Sequence, residues 1–290
     1  MRAIGFSKLS DRKELQKLLT DIVVDATDRS YTSNGEKTLL AEFSKDFAEN
    51  IGIAVCGEFD EDDKFTYDYY YPYLKGNIVS SEEDVSVERH AAQESYAGVC
   101  DDIKVGVSLI FYLQNMIPYV KAQNSGLLPI RGTTLTLSAL SDKGTIMMPI
   151  KKTERDLIKN KKTFLNRSQL INAARKGDEE AIESLTLDDM DTYTTISKRI
   201  QKEDVFSLVD TYFMPYGIEC DHYSILAEII DCNLVRNKLT EEEIYIMTLN
   251  CNDLVFEVCI NKEDIYGEPA VGRRFKGIIW MQGFINFPNE

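Results

Sequence analysis

The chain has 290 residues, 43% of them hydrophobic and 28% charged, the ordinary balance of a globular protein. With 33 basic against 48 acidic residues the net charge is −15, which argues against nonspecific binding to nucleic acid or an anionic membrane. No run approaches the roughly 18 apolar residues of a membrane helix, and no secretory leader is visible after Met1. Six cysteines (56, 100, 220, 232, 251 and 259) contain no Cys-x-x-Cys pair, so the expectation is a cytoplasmic protein with reduced, buried thiols. The length allows about two domains.

Residues 10–24 read as a helix, capped by Ser10 or Asp11, with Leu15, Leu18, Leu19, Ile22 and Val23 at helical spacing. A second, weaker helix is expected over 37–49, where Leu39, Leu40, Phe43 and Phe47 share one side. A hairpin follows: 52–59, an acidic turn at 60–63, then 64–73. Strand alternation would put Phe65, Tyr67, Tyr69, Tyr71 and Tyr73 on one face of its second arm. Further strands are expected at 105–113 and in a hairpin of 133–140 and 145–150 joined at Asp142-Lys143-Gly144.

Residues 151–204 are polar and helical in composition, with breaks near Asn166 and Gly177. Basic residues dominate from Lys151 to Arg167, whereas none occurs between Asp178 and Asp191, where acidic ones cluster. Helices of opposite sign most simply pair or face solvent. The stretch 205–213 fits a helix or a strand until Pro215-Tyr216-Gly217 ends it. Strands at 223–235, 243–250, 254–260 and 274–286 then read as a compact β unit, with Asn252-Asp253 as a tight turn. The expected architecture is α+β, in three parts. N-terminal helices lie on an antiparallel sheet (1–150), a helical connector follows (151–204), and a small β-barrel of OB-like or Greek-key type closes the chain (205–290).

Chemistry-bearing groups are sparse. Glu219-Cys220-Asp221-His222 is the densest set; on an extended chain Cys220 and His222 share a face, but no further ligand at metal spacing accompanies them. A Cys–His nucleophile pair would need Cys100 or Cys220 with His90 or His222, the only two histidines. The acidic turn at 60–63 lacks the glycine and distal glutamate of a calcium loop, and there is no phosphate-binding glycine loop, so no metal or cofactor is expected. The tyrosine ladder could stack on a ring-bearing ligand or simply cover the N-terminal helices. Near the C-terminus Arg273, Arg274 and Lys276 alternate with Phe275 just before the sole tryptophan, Trp280. They could bind an anion or a single strand, or pair with Glu263, Asp264 and Glu268 while Trp280 fills a core.

Several segments together carry a resemblance: Arg2-Ala3-Ile4-Gly5-Phe6, Pro72-Tyr73-Leu74-Lys75-Gly76, Glu94-Ser95-Tyr96-Ala97-Gly98-Val99-Cys100, the run from Tyr212 to Asp221, and that from Gly267 to Gly283. The chain resembles an uncharacterised family of Firmicutes proteins known only as a domain of unknown function. That resemblance implies a cytosolic bacterial protein and brings no activity, cofactor or catalytic residue with it. The leading expectation is therefore a non-catalytic protein that binds a protein or small-molecule partner through Arg273, Arg274, Lys276 and Tyr69. The alternatives are a hydrolase or transferase using Cys220 and His222, with Asp221 or Glu219 orienting them, and single-strand nucleic-acid binding through the C-terminal barrel.

Overall fold

The computed structural model describes residues 1–33, 39–89, 95–102, 107–128, 132–150, 209–218 and 220–288, with part of 166–190. The expectations for His90, Glu219, the basic side chains of 151–165, Arg167, Asp188, Asp189, Asp191 and residues 205–208 lie outside them.

Helix α1 (Arg12–Val24) starts where Asp11 accepts the Lys13 amide at 2.9 Å, and it buries Leu19 and Ile22. After it the chain forms β1 (Asp28–Ser33), β2 (Leu39–Ala48), β3 (Ile51–Phe59) and β4 (Phe65–Leu74), a four-stranded antiparallel sheet in sequence order. The second N-terminal helix expected over 37–49 is thus a strand. Phe43 and Phe47 lie four apart, a spacing that puts them on one face of a helix and of a strand alike. Long-range pairing with β3 decides between the two. Phe47 meets Phe6 and Phe43 meets Phe65 edge-on, both at 5.0 Å between ring centres.

The tyrosine ladder does not keep one face. Cys56 pairs with Tyr69 and Gly57 with Tyr67, leaving Asp68 as an extra residue. That bulge reverses the alternation. Phe65 belongs with the α1 side, while Tyr69, Tyr71 and Tyr73 face the other sheet rather than the N-terminal helices.

That other sheet takes in β5 (Val79–Ser81), β6 (Val85–Arg89), β7 (Tyr96–Cys100) and β8 (Leu109–Leu113). After α2 (Met116–Asn124) it continues with β9 (Thr134–Ser141), β10 (Gly144–Met147), β11 (Tyr212–Pro215), β12 (His222–Arg236), β13 (Glu243–Cys251), β14 (Leu254–Asn261), β15 (Ile265–Tyr266) and β16 (Arg274–Asn286). The protein is predominantly β, not α+β with a helical middle and a self-contained C-terminal barrel. Pairings among β12, β13, β14, β9 and β16 do close on themselves, because β16 also pairs with β12. The ring needs β9, which lies on the far side of residues 151–208 in sequence. One apolar core accordingly contains Phe111, Leu135 and Leu137 together with Ile225, Phe256, Phe275 and Met281.

The expected hairpin of 133–140 and 145–150 is absent. Strands β9 and β10 both run antiparallel to β16, with Ala139 opposite Met281 and Gly144 opposite Gly277. They are one line of strand, broken at Asp142-Lys143, where it carries one residue more than β16 does. On its other side the neighbour breaks too: β14 runs parallel to β9 and β15 parallel to β10, with the 3-10 turn Lys262–Asp264 between them. Among the described residues no helix is long and apolar enough to cross a membrane.

Candidate functional site

The interrupted strand opens a groove beside β16. Along β16 Phe275, Ile279 and Met281 are fully buried in the core, so strand alternation sends Arg274, Lys276, Ile278 and Trp280 to the opposite face. Across the ladder, Thr145 lies opposite Lys276, Ser224 opposite Ile278, and His222 opposite Trp280. With Leu140, Met147 and the broken stretch Asp142-Lys143, these residues line a groove of 710 Å³. Gly277 is needed where the strands are closest: a Cβ there would lie 2.7 Å from the Phe275 ring and 3.0 Å from the Lys143 carbonyl oxygen.

At one end of the groove three side chains are locked together. Trp280 Nε1 donates to Asp221 Oδ2 at 2.6 Å, and His222 Nδ1 lies 2.9 Å from Asp221 Oδ1. The His222 and Trp280 rings stack at 20° with centres 6.5 Å apart. A carboxylate only accepts, so Nδ1 carries the proton shared with Asp221, and in a neutral imidazole the lone pair then falls on Nε2. The main-chain carbonyl of Asp221 accepts from the Met281 amide at 2.8 Å, which ties the turn to β16. The His222 side chain remains 46% exposed.

Other residues singled out in the sequence go elsewhere. Arg274 is buried, at 4% exposure. Its Nε donates to the Met148 carbonyl (3.0 Å) and its Nη1 to those of Val209 (2.8 Å) and Asp210 (3.3 Å). It therefore joins the two ends of the chain that flank residues 151–208, and burial lowers its pKa. Arg273 lies at the turn before β16 and donates to the Glu268 carbonyl at 2.6 Å. The Cys220 thiol lies 3.0 Å from the Tyr216 carbonyl and is not among the groove-lining groups. Among the described residues no three His, Cys, Asp or Glu side chains gather as metal ligands.

Tyr69 lies behind the groove, in an aromatic layer between the two sheets. There Tyr112 packs on Trp280 (5.4 Å) and on Tyr71 (4.7 Å). The Tyr71 hydroxyl lies 3.1 Å from the Gln114 carbonyl and 3.2 Å from Glu42 Oε2, and Cys56 Sγ lies 3.5 Å from the same carboxylate oxygen. Burial pushes Glu42 up to about 7, against the downward pull of its hydrogen bonds to Tyr71 and Cys56. The Tyr73 hydroxyl donates to Asp46 at 2.5 Å.

Of the expected contact residues, then, Lys276 enters the groove with His222, while Arg273, Arg274 and Tyr69 do not line it. Sequence reasoning missed Asp142, Lys143, Thr145 and Ser224. The first two were legible only as a turn, and their place beside β16 follows from a register slip.

A profile of the family described as "Domain of unknown function, E. rectale Gene description (DUF3881)" matches residues 1–283. The chain belongs to this family. Its match spans both flanks of residues 151–208, and so every strand that lines the groove. No curated protein and no solved structure matches the chain.

Proposed function

We propose that this family member is a cytoplasmic small-molecule-binding protein whose ligand is a planar, ring-bearing anion held in the groove. The observation that carries the reading is the placing of a stacked His222–Trp280 shelf in the same 710 Å³ groove as Lys143 and Lys276. That volume is in the range of small-ligand sites, roughly 300–1,000 Å³. Leu140, Met147 and Ile278 supply apolar wall, and Asp142 is the one carboxylate among the described lining residues. On a chain of net charge −15, the lining sets two ammonium groups against Asp142, while the Asp221 carboxylate at the groove's end is taken up by Trp280 and His222. The six cysteines are free thiols, which suits a reducing compartment.

Trp280 is the sole tryptophan, so all tryptophan fluorescence comes from a residue that lines the groove. Titration with 4-nitrobenzoate should quench it saturably, and the uncharged 4-nitrobenzamide should bind more weakly. Lys276→Met should cost the carboxylate roughly tenfold in affinity, the scale of one charge-assisted contact, and leave the amide nearly unchanged. Linear quenching, equal for both probes, would sink the proposal.

A further inference from the structure

We propose that His222 is a general base toward the groove's ligand, so that the groove hydrolyses an ester of an aromatic acid rather than only holding the acid. This rests on the ligand site proposed above and adds a reaction to it.

The argument starts from what each ring nitrogen does. Asp221 fixes Nδ1 at 2.9 Å, while its other oxygen is held by Trp280 Nε1 at 2.6 Å. The carboxylate is thereby oriented from two sides, and the imidazole is held nearly parallel to the indole, with ring centres 6.5 Å apart. No hydrogen bond to Nε2 exists among the described residues, although the imidazole lines the groove. A carboxylate that orients an imidazole and leaves Nε2 as the basic atom is the arrangement that general-base catalysis requires. The imidazole is itself exposed and fills no core.

The nucleophile follows from the neighbours. Cys220 directs its thiol at the Tyr216 carbonyl, at 3.0 Å. Ser224 lines the groove on the same strand face as His222, but its hydroxyl lies 3.5 Å from that of Tyr212 and makes no bond to the imidazole. Water is the remaining nucleophile. Nε2 takes one proton from it as its oxygen bonds to the acyl carbon. The tetrahedral adduct then collapses, the bond from the acyl carbon to the ester oxygen breaks, and Nε2–H returns the proton to the departing oxygen. One ester and one water give one carboxylic acid and one alcohol or phenol. The acid product is the ring-bearing anion that the groove is proposed to bind.

The test is hydrolysis of 4-nitrophenyl benzoate by the full chain, read as 4-nitrophenolate release. Turnover should saturate, be inhibited competitively by 4-nitrobenzoate, and show a solvent deuterium isotope effect on kcat. His222→Gln should lower kcat by about 100-fold or more, the usual weight of a positioned general base. His222→Ala should recover part of that loss with added imidazole, which a merely structural histidine would not. Turnover no faster than in buffer, turnover unaffected by His222→Gln, or turnover insensitive to 4-nitrobenzoate would each overturn the proposal. If 4-nitrobenzoate still quenches Trp280 saturably while no ester is cleaved, only the catalytic step falls. If quenching is absent as well, the ligand site falls with it.

Discussion

Two clusters of aromatic and acidic side chains meet at Trp280, and they differ in what they leave unbonded. In the layer between the sheets, Tyr71 spends its hydroxyl on Glu42 and the Gln114 carbonyl, and Tyr73 spends its own on Asp46. In the groove, Asp221 uses both oxygens to hold His222 and Trp280, yet among the described residues nothing bonds Nε2 of His222. The closed cluster joins two sheets through these bonds, and the atom it leaves unpartnered among the described residues, Gln114 Oε1, is buried away from any ligand. The open one is rigid without being used up, which is the condition for acting on something from outside. Arg274 sorts with the closed cluster. It lies two residues from Lys276 on the same strand face, but its Nε and Nη1 donate to main-chain carbonyls.

The contrast can be broken most sharply at Arg274. Arg274→Met would leave the carbonyls of Met148, Val209 and Asp210 without this donor, and should cost about 3 kcal/mol or more in urea unfolding. An unaltered midpoint would mean that Arg274 is not a structural clamp and could serve a ligand after all.

Next in size is the pH response of Glu42. Its folded pKa, about 7, lies above the ordinary value of 4.5. Between these values the folded state keeps a proton that the unfolded chain has released, so stability falls as pH rises through the window and levels off above it. The loss is about 2–3 kcal/mol, since the side chain is half-buried. Glu42→Gln should flatten that part of the stability curve, measured by urea unfolding at pH 5, 6, 7 and 8. A variant curve parallel to that of the wild type would place the carboxylate in water instead of in the tyrosine layer.

The smallest effect should come from the groove itself. His222→Gln should shift unfolding by no more than about 0.5 kcal/mol, as at exposed positions generally. A loss of several kcal/mol would erase the difference between the two clusters and make the imidazole a structural piece.

Several elements of the fold, though not its class, were legible along the chain. Asp11 and the spacing of Leu19 and Ile22 specify α1, and alternation with tight turns places β12, β13, β14 and β16 within a residue or two. Asn252 and Asp253 both take the left-handed conformation of a two-residue hairpin, at φ 54° and 64°. Such signals are local, and local sterics and periodicity suffice to read them. Of the site, Asp221 and His222 stood out as part of the densest set of potential ligands and Lys276 as part of a basic cluster, while Arg274 stood out in the same cluster and turned out to be buried.

What the sequence by itself determined was helix α1, the strands β3, β4, β8, β9, β12, β13, β14 and β16 as extended segments, and the acidic balance of the whole. Only the tertiary structure decided three further matters: that 39–48 is a strand, that β9 and β10 are one interrupted line, and that Asp142, Lys143, His222 and Trp280 share a groove. The physical reason is common to all three. Strand pairing is non-local, and a single extra residue, at Asp68 or near Asp142, changes which face a side chain takes. No periodicity within one segment records that slip; it exists only between partners far apart in sequence.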